Sequence, residues 1–160
     1  MDLTVRRAGP ADAETLARFG RRLARETEDK TLDPATIRAG VRSVFEKERG
    51  AFYLLAEAPD DSENGSEDGH ETAGALMVTR EWSDWRDGVF WWIQSVYVRP
   101  AHRRQGVYRA LYRDVRRRAT EAPDVCGLRL YVERDNAAAR AAYEALGMQQ
   151  TSYRLYETGL

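Results

Sequence analysis

The chain has one cysteine, Cys126, in 160 residues. An internal disulfide is excluded, and a reducing compartment suits the composition. No apolar run approaches the roughly 20 residues of a membrane helix. Asp2, Arg6 and Arg7 surround a short apolar stretch, which does not read as a signal peptide. A cytoplasmic protein with no membrane partner is expected. Neither charge sign is in excess, with 25 Lys and Arg against 26 Asp and Glu. That balance argues against a nucleic-acid partner. Lysine is nearly absent, since only Lys30 and Lys47 occur. Arginine binds phosphate bidentately, but for the whole chain genome composition or adaptation to harsh conditions is the simpler account. Histidine is equally scarce. His70 and His102 belong to no metal-ligand cluster, so no metal is expected.

What is present reads as one domain spanning residues 1–160, with 42% hydrophobic and 32% charged residues. Leu3 to Arg6 form a short strand, Gly9-Pro10 a turn, and Asp12 an N-cap for a helix to about Asp29. Leu16, Phe19, Leu23 and Thr27 make its inner stripe. Asp33-Pro34 opens a second helix, with Ile37, Val41, Val44 and Phe45 inward, ending at Gly50. Ala51 to Ala58 is a strand by content. Residues 59–71 (PDDSENGSEDGHE) hold six acids and no Lys or Arg. They read as a solvated loop without chemistry inside a hairpin.

Thr72 to Glu81 and Val89 to Val98 are two further strands, and Arg99-Pro100 closes the second. A helix follows from about Arg104 to Thr120, then a strand with Leu128, Leu130 and Val132 alternating. Asn136 opens an alanine-rich helix to Leu146, and Gly147 ends it. Gln149 to Glu157 is a final strand. The order is β-α-α-β-β-β-α-β-α-β, an α/β fold with a mixed, mostly antiparallel sheet of six to seven strands and helices on both faces.

Val96 to Val115 (VYVRPAHRRQGVYRALYRDV) is the most informative segment. It joins a strand to an amphipathic helix through a turn holding Arg103, Arg104, Gln105 and Gly106. A helix start presents unpaired N–H groups and the positive end of the dipole. Gly106 permits close approach of an anion, and Arg103, Arg104 and Arg109 add charge. The pattern is a candidate pyrophosphate cradle. An ordinary strand-turn-helix with exposed arginines would share it.

Two spaced signatures sharpen that reading. Arg103-Arg104-Gln105-Gly106-Val107-Tyr108 aligns to Arg/Gln-x-x-Gly-x-Gly/Ala at all but its last position, and Asn136, Ala139, Tyr143, Gly147 and Met148 match a second pattern about thirty residues later. On these the chain resembles the GNAT acetyltransferases over almost its whole length. Val5-Arg6-Arg7-Ala8 before Asp12-Ala13 also looks like that family's start. The resemblance implies an N-acetyltransferase that moves the acetyl group of acetyl-CoA directly to a primary amine. It further implies cofactor contacts from Val96, Tyr97, Val98, the turn residues 103–108, Arg109 and Asn136. Tyr108 departs from the family's small residue, so its side chain must point away from the phosphates.

By the same resemblance Tyr143 is the general acid that protonates the departing thiolate, and an N–H near Val96 serves the oxyanion. A phenol with pKa about 10 suits the acid role. The usual basic glutamate is replaced by Gln94 and Ser95. Glu133, Glu81 or Asp84 would have to act through water, or the amine arrives neutral. Trp82, Trp85, Trp91 and Trp92 crowd one hairpin, and Trp91 and Trp92 must face opposite sides of the sheet. Each is as readily packing as an aromatic wall for a cationic amine. A non-catalytic acyl-CoA-binding module is the alternative reading. The acceptor is a small-molecule or peptide amine, and a homodimer is compatible with the family.

Overall fold

The short first strand works because its residues are tied on both flanks. In the computed structural model, which describes residues 2–60 and 69–160, β1 (Thr4–Arg7) pairs antiparallel with β2 (Phe52–Pro59). Arg6 donates to Glu57 at 2.7 Å and makes a two-bond fork onto Asp12 at 2.8 and 2.9 Å. Asp12 also accepts the Gly9 N–H at 2.8 Å. Asp12 does precede α1 (Ala13–Glu28), but its carboxylate faces backward and caps no amide of that helix. The guanidinium is the stronger partner.

Helix α2 (Pro34–Glu46) starts as its sequence predicts, with Asp33 accepting the Thr36 N–H at 2.8 Å and Pro34 in the first turn. The expected hairpin is also present. Strands β2 and β3 (His70–Ser83) pair antiparallel, and β3 pairs likewise with β4 (Gly88–Val98). Residues 61–68 of the expected acidic loop lie outside the described residues. Its ends are shorter than expected, because Pro59, His70 and Glu71 already belong to the ladder.

The chain divides into two compact units, Met1–Leu130 and Tyr131–Leu160. In the first, α3 (Val107–Glu121) leads into β5 (Val125–Leu130), which pairs parallel with β4. The sheet order is β1-β2-β3-β4-β5. Alternation along the strands sorts side chains to two faces. Tyr53, Leu55, Ala75 and Tyr97 join Leu16, Ala17, Phe19 and Val41 in a core under α1 and α2. Phe19 and Tyr97 place their rings 4.9 Å apart. Thr27, expected on the inner stripe, is exposed and bonds back to Leu23 O at 2.8 Å.

Helix α3 packs against β2 and β3, with Val107, Leu111 and Val115 buried at i, i+4 and i+8. Its start comes so close to the sheet that a Cβ on Gly74 would stand 2.8 Å from Tyr97 O and 2.9 Å from Val107 Cγ1. Full burial of a leucine or valine stabilises by about 1.5–3 kcal/mol, so this interface holds α3 to the sheet.

The second unit holds α4 (Ala137–Ala145). Asn136 accepts the Ala139 N–H at 3.0 Å, as an N-cap should. Gly147, at φ +86°, ends the helix, and the Met148 N–H reaches Tyr143 O at 3.1 Å. The expected strand over Gln149–Glu157 is absent, and Val132 lies beyond β5. Among the described residues the sheet therefore has five strands, not six to seven. Tyr153, Leu155 and Tyr156 are exposed. Aromatic and aliphatic content favours a strand only where a partner backbone and packing neighbours exist.

Candidate functional site

Strand β4 changes character halfway along. Its parallel ladder with β5 runs from Val89 opposite Val125 to Ile93 opposite Leu130 and stops there. From Gln94 to Val98 it pairs only with β3. In that stretch the β3 register shifts between Ala75 and Met77, so Ser95 and Val96 oppose a single residue. Ser95 takes φ +51°, rare for a residue with a Cβ. This bulge bends the strand just where its β5-side backbone becomes available.

The strand then enters a one-turn 3-10 helix, Pro100–His102, and the turn before α3. Arg104 at φ +64° and Gly106 at φ +85° reverse the chain. The first bond closing α3 runs from the Ala110 N–H to Gly106 O at 2.9 Å. The amides of Val107, Tyr108 and Arg109 thus precede the ladder. A Cβ on Gly106 would meet nothing within 4 Å, so the approach at the helix start is open at Gly106. An anion there meets both N–H groups and the helix dipole.

The predicted turn residues divide by role. Arg103 is exposed but engaged. It donates to Val98 O at 3.0 Å, pairs closely with Glu26 of α1, and lies 5.9 Å over the Tyr97 ring. Glu26 also accepts the Tyr97 hydroxyl at 3.2 Å. Gln105 donates to Ala101 O at 2.8 Å and holds the turn closed. Arg104 and Arg109 are exposed and make no ion pair among the described residues. Val107 is buried, and the half-buried Tyr108 ring sits 6.2 Å from that of Tyr112.

A second anchor was not legible in the sequence. Glu71 of β3 pairs closely with Arg99 and is 2.7 Å from Nε2 of buried His102. His102 Nδ1 has no hydrogen-bond partner among the described residues. Thus both sides of the turn are fastened to the sheet or to α1 by carboxylates far away in sequence.

Gln94, at the position of the expected base, donates to Thr79 at 2.6 Å. Glu81 accepts from Arg129 at 2.7 Å, and Asp84 accepts the Trp85 N–H at 2.9 Å. Tyr143, half-buried in the second unit, has its phenol pKa pushed up by burial. Trp91 is buried with its ring 5.2 Å from Phe52, whereas Trp82 and Trp85 are exposed. Cys126 is an exposed free thiol. No helix is long and apolar enough to cross a membrane, and no group of three or more His, Cys, Asp or Glu could hold a metal, both among the described residues.

A family model described as Acetyltransferase (GNAT) family matches residues 19–148. The chain is similar to a possible acetyltransferase from Clostridium difficile 630, with 36% identity, 99% of this chain and 97% of that one covered, and TM-score 0.84. It is similar in fold to a predicted acetyltransferase with acetyl-CoA from Clostridium acetobutylicum, at 15% identity, 98% and 96% coverage and TM-score 0.74. A ribosomal-protein-alanine N-acetyltransferase from Brucella melitensis is also similar, at 17% identity, 99% coverage of both chains and TM-score 0.73. A comparison with curated proteins finds no match. With the bent β4, the open helix start and a family match over most of its length, the chain belongs to the GNAT acetyltransferase family.

Proposed function

We propose that this protein moves the acetyl group of acetyl-CoA directly to a primary amine of a small molecule or peptide. The observation that carries this is the juxtaposition of the β4 edge left by β5, Gln94 to Val98, with the start of α3, whose first amides precede its ladder and whose Gly106 faces open space. An extended arm with amide groups adds to a strand edge, and a pyrophosphate suits the helix start. Val96, Tyr97 and Val98 offer the edge. Gly106, Val107 and Tyr108 offer N–H groups, Arg104 and Arg109 offer charge, and Arg103 and Gln105 set the turn. Asn136, besides capping α4, is assigned a contact to the cofactor arm.

The thioester supplies an activated acetyl carbon. The amine's lone pair forms the new C–N bond as the C–S bond breaks, and a backbone N–H near Val96 donates to the carbonyl oxygen as charge develops. Tyr143 gives its proton to the leaving thiolate. Its raised pKa keeps the phenol protonated at neutral pH. Gln94 is an amide, and Glu81 and Asp84 are already engaged. The amine is therefore assigned to release its proton through water, to Glu133 or to solvent, or to arrive already neutral, and Tyr143 regains its proton from solvent.

Titration calorimetry with acetyl-CoA tests this reading. Micromolar binding with a raised Tm, followed by thiol release with an amine panel, supports it. No heat and no stabilisation at saturating acetyl-CoA would sink it. Gln94 favours a second reading, a non-catalytic acyl-CoA-binding module, which binding without turnover of any amine would support.

A further inference from the structure

Arg18, Arg21, Arg22 and Arg25 recur at i, i+3, i+4 and i+7 and form one stripe on α1. With Lys30, Thr31 and Leu32 they line an open cavity of about 400 Å³. Five of the chain's 25 basic residues thus meet in one place, although its net charge is only -1.

Local acids leave much of this charge unanswered. Arg21 and Arg22 make no hydrogen bond or ion pair among the described residues. Arg18 reaches only the Thr15 hydroxyl, at 3.5 Å. Arg25 donates to Thr31 at 3.1 Å and lies 3.8 Å from Asp29, while Lys30 pairs with Glu28. Like charges at helical spacing repel, and an anion bridging them removes that repulsion. A guanidinium fork suits carboxylate or phosphate in particular.

Position adds a second argument. Glu26, one turn after Arg22, holds both Arg103 of the phosphate turn and the hydroxyl of Tyr97 on β4. The arginine stripe therefore borders the elements assigned to the cofactor, on the helix that anchors them. The cavity volume is that of a small-molecule site rather than a protein interface.

We propose that this cavity takes the anionic part of the acceptor, a small amine carrying two or more carboxylate or phosphate charges. The assignment to an acceptor rests on the acetyl-transfer reading, while the anion site itself rests on the arginine stripe. The phosphates of CoA share the same chemistry and are the competing source.

The test is calorimetry on the full chain with citrate and with the dipeptides Glu-Glu and Gln-Gln, at low and high salt, with and without saturating CoA. Citrate and Glu-Glu are expected to bind, more weakly at high salt, with Glu-Glu at least about tenfold tighter than Gln-Gln. Arg21→Ala/Arg22→Ala should abolish that preference while leaving acetyl-CoA affinity and Tm unchanged, because both side chains are exposed. Equal binding of the two dipeptides, or an unchanged double variant, overturns the proposal. Displacement of citrate by CoA overturns the acceptor assignment and gives the cavity to the cofactor's phosphates. Citrate binding by a chain that binds no acetyl-CoA leaves the anion site standing and removes the acetyl-transfer reading instead.

Discussion

Arg103 of the turn before α3 is held by Glu26 of α1, 77 positions earlier in the chain. The same carboxylate accepts the Tyr97 hydroxyl, so one acid joins a helix, a strand and the turn before α3. Arg103 is thus tied to α1, whereas Arg104, also exposed, makes no ion pair among the described residues.

Two arginine variants should separate those roles. Arg103→Ala is expected to lower both Tm and acetyl-CoA affinity, and Glu26→Gln to do the same more mildly. Arg104→Ala should weaken acetyl-CoA binding by roughly threefold to tenfold with little change in Tm, as befits an exposed charge meeting a phosphate. Thermal melts and calorimetry on the three variants check this. Equal Tm losses for Arg103 and Arg104 would contradict it.

Tyr143 is expected to act in the chemical step. Tyr143→Phe removes the proton donor and keeps the ring, so acetyl-CoA affinity should persist while kcat falls by about 10²-fold or more. Thiol-release kinetics under saturating acetyl-CoA measure it. Undiminished turnover would exclude the phenol as the acid.

Gly106 offers a cleaner probe of the helix start. No atom lies where its Cβ would be, so Gly106→Ala creates no clash. Its φ of +85° nevertheless strains any L side chain, costing about 1–2 kcal/mol. A lower urea midpoint and weaker acetyl-CoA binding are expected together. Loss of stability with unchanged affinity would mean that the phosphates do not sit over this turn.

The Arg6 and Asp12 pair makes stability depend on acid. The Arg6 guanidinium, against the opposing effect of burial, holds the Asp12 carboxyl below the usual carboxylate range. The folded state thus favours the ionised form. This stabilisation is present in full above the unfolded-chain value near about 4, and it is lost as pH falls through the lower folded value. Because the Arg6 side chain is 41% exposed, its worth is discounted to about 1 kcal/mol. Urea melts at pH 7 and pH 3 should show a smaller acid-induced drop in Asp12→Asn than in the parent chain. An identical drop would remove the pair from the account.

The elements that local rules govern were legible in the residues themselves. Pro34 after Asp33, Asn136 before an alanine run and Gly147 after it place helix ends through caps and backbone freedom that act within a few residues. Leu111 and Val115 follow a helical period whose inner face had to be buried. The turn from Arg103 to Tyr108 was visible for the same reason, since its glycine and its helix start lie side by side in the chain. Thr27 and the strand expected at Gln149–Glu157 misled, because their composition suits a role that needs neighbours to supply packing or a ladder.

By itself the sequence placed the four helices, their order among the strands, and the turn that opens α3, but it counted a strand at Gln149–Glu157 that does not form. Only the tertiary structure decided that Arg103 serves Glu26, that Glu71 fastens Arg99 and His102, and that the ladder between β4 and β5 ends at Ile93 and Leu130. Those contacts join residues dozens of positions apart. No local propensity encodes which distant carboxylate a guanidinium will meet, because that choice follows from how the sheet and helices pack.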